Sequence, residues 1–399
     1  MKKLMLLGGI RYLLPAIEAA HRHGYYVITV DYLPNNIAHK YSDEYHNLSI
    51  LDMEAVLALA KELQIDGILS YAVDPGVVTA AYVAEKMGLP FACSYKTACI
   101  LQDKSRFRQF LTENGFNAPN AKGYMNAEEA IRDIDYYNWP VIVKPVDSAG
   151  SKGVSRVDNP RNLSKSISQA LRESHNGHFI IEDFLEKEGM SSGTESFFVD
   201  GELKYNAFYD QWFDIEATNP YTPSAECWPT EKKEEILKDI RCQLQHLGDL
   251  LRFRTGIFNV EWRICKNGKI YLMEVSPRAG GNRLAEILNY ATDIDIIEAE
   301  VCKAVNDHFK EIHEPIFKGY YAILVLHSDK KGIFKSMEIN STIKKNIIEE
   351  EIRVKAGDKI EAFNGANNAI GTLFFCFDSR KKMKYCLENY KKWIRINIK

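Results

Sequence analysis

Glu261 and Glu274 flank an Asn267-Gly268 pair within GIFNVEWRICKNGKIYLMEVSPRAGG, residues 256–281. Asn-Gly between apolar runs is the strongest short signal for a two-residue hairpin turn. That turn fixes a register in which Lys266 faces Lys269, Ile264 faces Tyr271 and Glu261 faces Glu274. Directly opposed residues share one side of a sheet. Two carboxylates so placed repel unless one holds a proton or a cation lies between them. The hard, oxygen-seeking cation that accompanies phosphates is Mg²⁺. The stretch therefore reads as a metal clamp followed by Arg278 and the Gly280-Gly281 pair. The alternative is a solvated hairpin face, where glutamate pairs are common.

A second group of residues suggests anion binding. In WPVIVKPVDSAGSKGVSRV a strand ends at Lys144-Pro145, and a Gly/Ser loop carrying Ser148, Ser151, Lys152 and Gly153 leads to a strand at 154–157. Small residues let backbone N–H groups approach an anion, and the lysines supply charge. The loop lacks the G-x-x-x-x-G-K-[ST] pattern, so an exposed turn with incidental lysines is equally open. The strand FIIEDFL, 179–185, carries Glu182 and Asp183 where the chain leaves a sheet, and TESFFVDGELKYNAF predicts a hairpin turning at Asp200-Gly201. Residues 210–229 read as a long irregular loop, a lid or substrate loop in which Trp212, Glu226 and Trp228 stand out. Glu226 could hold an ammonium group. The tryptophans could wall a pocket, or be ordinary packing.

These residues need a scaffold. KLMLL, a helix over about 12–23 and YYVITVD open a β-α-β unit, and a second unit repeats the rhythm through GILSY and Asp74-Pro75-Gly76. Asp103-Lys104 opens an amphipathic helix, Asn126 with Glu129 predicts a capping box for a helix to about 137, and a long helix is expected over 230–251. We divide the chain into an α/β domain at 1–96, a second domain at 97–315 and a small α+β tail at 316–399. A formal charge of -3 and pI near 6.4 argue against nucleic acid as a partner. No apolar run is long enough to span a bilayer. Eight cysteines without a regular framework read as free thiols in a reducing cytoplasm, and ten scattered histidines give no zinc spacing.

Taken in order, Asp103-Lys104, VIVKPVDSAGSKGV, IIEDFL, GTESFFVDGEL, FNVEWRI and YLMEVSPRAGG resemble the ATP-grasp superfamily over nearly the whole chain. Among its members the pattern resembles carboxylate–amine ligases of the L-amino-acid ligase type. Biotin carboxylase and the carbamoyl-phosphate synthase large subunit share the core motifs without their other features being evident here. The resemblance implies a Rossmann-like pre-ATP-grasp domain, a two-lobed ATP-grasp domain and a C-terminal α+β domain. It implies ATP and Mg²⁺ as cofactors, with Mn²⁺ able to substitute. Lys104 and Lys144 would contact the phosphates under a cover formed by Ser148, Ser151, Lys152 and Gly153. Glu182 with the backbone of Asp183, Phe184 and Leu185 would hold the adenine edge, and Glu195 the ribose hydroxyls. Glu261 and Glu274 would bind the metal. Arg278, beside Gly281, would hold the substrate carboxylate or acyl phosphate, acting with Lys144 in catalysis.

The family's E-x-N-P-R becomes Glu274-Val275-Ser276-Pro277-Arg278 here. A hydroxyl is a weaker metal ligand than an amide oxygen, and the same hairpin register sets Asn259 opposite Ser276 to restore it. The implied reaction joins a small-molecule carboxylate to an amine through an acyl phosphate, releasing ADP and phosphate. A bicarbonate-activating ligase and a nucleotide-binding subunit without turnover remain as alternatives. A homodimer is possible.

Overall fold

The computed structural model describes residues 1–148 and 152–399. Its N-terminal layer is a parallel sheet of β1 (Lys3–Leu7), β2 (Tyr26–Asp31), β3 (Glu44–Asn47) and β4 (Gly67–Leu69), ordered β3-β2-β1-β4. Crossover helices α1 (Leu14–Arg22) and α2 (Met53–Leu63) and the following α3 (Asp74–Met87) explain why β1, β2 and β4 are largely apolar, while the edge strand β3 is polar. Gly76 stands in the first turn of α3 because a Cβ there would lie 2.5 Å from Ser70 Oγ. That close approach pins the α3 N-terminus, and Asp74 with it, at the carboxyl end of β4.

α4 (Tyr95–Gln102) and α5 (Lys104–Glu113) lead into a lobe with its own core. Asp103 caps α5 by accepting from the N–H groups of Ser105 and Arg106. The lobe's sheet runs β5-β8-β6-β7, from β5 (Ala121–Tyr124), β6 (Val141–Pro145), β7 (Ser155–Val157) and β8 (Phe179–Asp183). α6 (Ala127–Arg132) and α7 (Leu163–Glu173) accompany it. The helix expected to reach 137 stops at Arg132, and a 3-10 turn covers Ile134–Tyr136. Asn126 caps Glu128 N–H at 2.7 Å, while Glu129 turns to Lys122 instead of closing a reciprocal box.

The remaining chain builds one antiparallel sheet. Its strands are β9 (Ser191–Val199), β10 (Glu202–Phe213), β11 (Pro223–Trp228), β12 (Gly256–Ile264), β13 (Ile270–Ser276), β14 (Tyr320–Leu326), β16 (Ile347–Ile352) and β18 (Gly371–Phe377). Their order is β13-β12-β9-β10-β11-β14-β18-β16. The tail is thus continuous with the domain before it, because β14 pairs with β11. β15 (Gly332–Ile339), β17 (Lys359–Ile360) and β19 (Ile394–Ile398) add a small sheet with α11 (Ser341–Lys344), α12 (Arg380–Glu388) and α13 (Tyr390–Trp393). α8 (Glu234–Leu251) starts later than expected, since Thr230 bonds Asp210 instead of capping a helix. α9 (Leu284–Thr292) and α10 (Ile296–Ala304) return to the N-terminal layer, where a Cβ on Gly67 would overlap the Ala304 carbonyl.

Residues 210–229 are mostly strand, and only 214–222 connect β10 to β11. The irregular reading fails because both sheet faces are covered, so apolar/polar alternation is lost. Among the described residues no helix is long and apolar enough to cross a membrane.

Candidate active site

The β12–β13 hairpin places Glu261 opposite Glu274 and Asn259 opposite Ser276. The route to that register differs from the one expected. Ile264 pairs with Ile270 and Arg263 with Tyr271, so neither Ile264–Tyr271 nor Lys266–Lys269 is a pair. The loop is one residue longer: Cys265 N–H donates to Lys269 O, Gly268 N–H to Cys265 O, and Gly268 takes a φ of 75°. This is the three-residue loop with glycine in the left-handed position. A bulge between Glu261 and Trp262, facing Met273, then restores the offset.

Sheet pairing carries this face inward. Glu261 is opposite Gly193, and Gly193 is opposite Tyr209, whose phenol occupies the space a Cβ at 193 would need. In the adjacent row Asn259 is opposite Glu195. Burial, with the Glu274 charge adding to it, pushes the Glu261 carboxyl up to about 7. Burial likewise pushes Glu195 and Glu226 up to about 7. Glu226 accepts from Asn282 Nδ2 at 3.0 Å through one oxygen, and its other oxygen is buried without a hydrogen bond. Two opposed carboxylates, with the Glu261 carboxyl raised by burial and by its neighbour's charge, fit a divalent cation.

Arg278 lies beside this face. Its Nε and Nη2 bond the two oxygens of Asp74 at 2.7 Å each, and Nη1 reaches Ala279 O at 2.8 Å and Asn259 Oδ1 at 3.3 Å. Ser276 Oγ donates to Asp74 at 3.0 Å and accepts from Gln102 Nε2 at 2.6 Å. Asn259 donates to Glu195 at 2.5 Å. Glu195, expected at a ribose, is fully buried and also accepts from Gly280 N–H at 3.1 Å. It supports the Arg278–Gly281 turn from beneath. Gly281 is half-buried, nearest to Tyr12.

A small cavity lined by Asp74, Gln102, Lys104, Phe107, Ser148 and Glu274 joins the two halves of the site. Lys104 Nζ donates to Ser148 O at 2.9 Å. Lys144 is ion-paired with Glu182, which also accepts from Arg108 Nε at 3.0 Å. Burial, only partly offset by Glu182, pushes Lys144 down to about 8. Burial would raise Glu182, but Lys144 and Arg108 hold it down at about 2. The Glu182 side chain thus anchors Lys144 rather than standing free for a base. Asp183 accepts from Asn138 N–H and Nδ2, and Phe184 N–H donates to Pro140 O. Phe184 also carries the Arg156 guanidinium 4.4 Å above its ring. Leu185 is half-buried. Lys152 is exposed, Gly153 adopts a φ of 70°, and Ser151 lies outside the described residues.

Two expected pocket walls are core residues. Trp228 is fully buried, with its indole N–H bonded to Ala207 O and its ring 5.2 Å from Tyr209. Trp212 pairs with Ala225, one residue from Glu226, and so points to the opposite face, into the C-terminal core. Asp74, Gln102, Arg108, Tyr209 and Asn282 were not anticipated. For Asp74 a signal existed: a charged residue opening a helix at the carboxyl end of a parallel strand.

Residues 137–286 match the family model described as the ATP-grasp domain. That stretch is similar to ATP-grasp domains. The carbamoyl phosphate synthase large chain of Pseudothermotoga lettingae is 25% identical over 274 residues, 66% of this chain and 24% of that one. The chain therefore spans about a quarter of the length of that relative. The L-amino acid ligase from Bacillus licheniformis superposes with a TM-score of 0.81 at 19% identity, covering 100% of this chain and 99% of that one. The biotin carboxylase domain of Hydrogenobacter thermophilus 2-oxoglutarate carboxylase, solved as a dimer with MgADP and bicarbonate, gives 0.73 at 16% identity, covering 100% and 91%. These likenesses establish an ATP-grasp fold across the chain.

Proposed function

We propose that the protein is an ATP-dependent carboxylate–amine ligase that takes a small-molecule carboxylate and an amine as substrates. The observation that carries this reading is the opposed, half-buried Glu261–Glu274 pair set beside the buried Arg278 on one sheet face. A carboxylate is inert toward an amine because its oxygen leaves poorly. Its attack on the γ-phosphorus of ATP forms a C–O–P linkage and releases ADP. The amine nitrogen then attacks the carbonyl carbon, the C–O bond breaks, and the electron pair leaves with phosphate. An ammonium substrate sheds two protons in all, one to the phosphate and one to solvent.

Such transfers are accelerated mainly by positioning and charge neutralisation. Lys104 and Lys144 would face the phosphates, and the guanidinium of Arg278 would neutralise the activated carboxylate and the oxyanion formed on attack. Mg²⁺, held by Glu261 and Glu274 with Asn259 and Ser276 nearby, would supply neutralisation of phosphate charge. Glu226 would receive the ammonium of an amino-acid substrate at its unbonded oxygen. Glu182 would keep Lys144 in place.

The test is phosphate release from Mg-ATP with amino acids singly and in pairs, with ADP and AMP resolved. Pair-dependent ADP is the expected result. AMP would overturn the acyl-phosphate route, and release stimulated by bicarbonate alone would point to a bicarbonate-activating ligase.

A further inference from the structure

Arg278 has five N–H donors, and the protein already engages most of them. The Nε/Nη2 edge, the side that suits a carboxylate or acyl phosphate, holds the Asp74 carboxylate through two bonds of 2.7 Å. Nη1 is directed to Ala279 O and Asn259 Oδ1. Asp74 comes from the first turn of α3, in a different layer from β13. Ser276 and Gln102 extend the contact as a chain of hydrogen bonds, Gln102 to Ser276 to Asp74. Ser276 is both acceptor and donor in this chain. Asp74 also lines the cavity shared by Lys104, Ser148 and Glu274.

Resting on the ligase reading above, we propose that Asp74 binds the amine acceptor and that Arg278 masks it until the carboxylate substrate has bound. The Arg278 edge has room for one carboxylate. A substrate carboxylate or acyl phosphate that takes this edge displaces Asp74 by charge repulsion and by loss of its donors. The displaced carboxylate borders the cavity and suits a positively charged primary amine. Binding is then ordered: a site for the ammonium forms only once the group it must attack is in place. An amine cannot pre-empt the carboxylate, because before that step Asp74 is paired.

Hydroxylamine separates the two roles. It is largely uncharged near neutral pH and traps acyl phosphates as hydroxamates without an ammonium site. With Mg-ATP and the carboxylate found in the pairwise screen, wild type and Asp74→Asn are compared for amide and hydroxamate formation. The amine KM is expected to rise about 10- to 100-fold in the variant, the usual effect of losing a hydrogen bond to a charged group. The ratio of hydroxamate to amide should rise by a similar factor, and Asp74→Glu should recover part of the amine affinity. Equal loss of both products would overturn the proposal, leaving Asp74 as a positioning residue for Arg278. Absence of hydroxamate from wild type with every carboxylate would instead sink the ligase reading itself. A second measurement needs no variant: calorimetric titration of the amine into wild type should show binding only with carboxylate and nucleotide present. Equal affinity for the free protein would overturn the ordered scheme.

Discussion

Glu261 and Glu274 are held side by side by the backbone, and their mutual repulsion is the cost of that placement. Glu261→Gln should therefore raise the Mg²⁺ concentration needed for half-maximal phosphate release by about 10- to 100-fold or more. A metal titration of ADP formation checks this. Burial holds Glu195 and Glu226 up at about 7, against about 4.3 for a free glutamate. Between those values the folded protein keeps protons that the unfolded chain has released. Stability without metal or substrate should therefore fall as pH rises from about 4 to about 7. Glu195→Gln, which keeps an acceptor for Gly280 N–H, should flatten that slope in urea denaturation. Arg108 meets Glu182 inside the protein, where Lys144 would still pair with the carboxylate, so Arg108→Ala should destabilise by about 1–3 kcal/mol and weaken ATP binding. Denaturation and nucleotide titration measure both. Local motifs made Lys144, Glu261, Glu274 and Arg278 readable. Asp74 and Arg108 were not, because their partners lie 204 and 74 residues away, and no local period encodes such a pairing.

At the scale of elements, continuous apolar runs and strands bounded by clear turns were legible, and a strand of mixed polarity buried on both sides was not. β11 is the example: Ala225 and Cys227 enter one core while Trp228 enters another, so its sequence shows no alternation and passed for a loop. The same double burial makes β9 intolerant of added volume. Gly193→Ala would drive a methyl into the Tyr209 phenol, and overpacking of this kind typically costs about 1–3 kcal/mol. Chemical denaturation should show that loss, and in a Tyr209→Ala background, itself destabilised by the cavity it leaves, the same Gly193→Ala change should cost much less.

Across the whole molecule, the boundary drawn at 315/316 from sequence follows a change of pattern and not a break in the sheet. Hydrogen bonds run from β11 to β14 without interruption. A chain ending at 315 would bare the β11 edge and the apolar face beneath the tail, and exposed edges of this kind template aggregation. Such a truncation should be recovered mainly as insoluble protein, whereas a soluble, active product would show that the tail is dispensable. The lobe around β5–β8 differs, since its core is a separate cluster.

The hairpin that carries the two glutamates also obeys a parity rule. Its loop is one residue longer than the shortest turn, and its bulge adds one residue on the returning strand. The two additions cancel, and both carboxylates stay on one side. With the chain length unchanged, tightening the loop alone, or flattening the bulge alone, would slip the pairing by one residue and turn one glutamate to the other side of the sheet. Making both changes together preserves the pair. Turn and bulge thus set the register jointly, a constraint that no substitution at either glutamate would reveal.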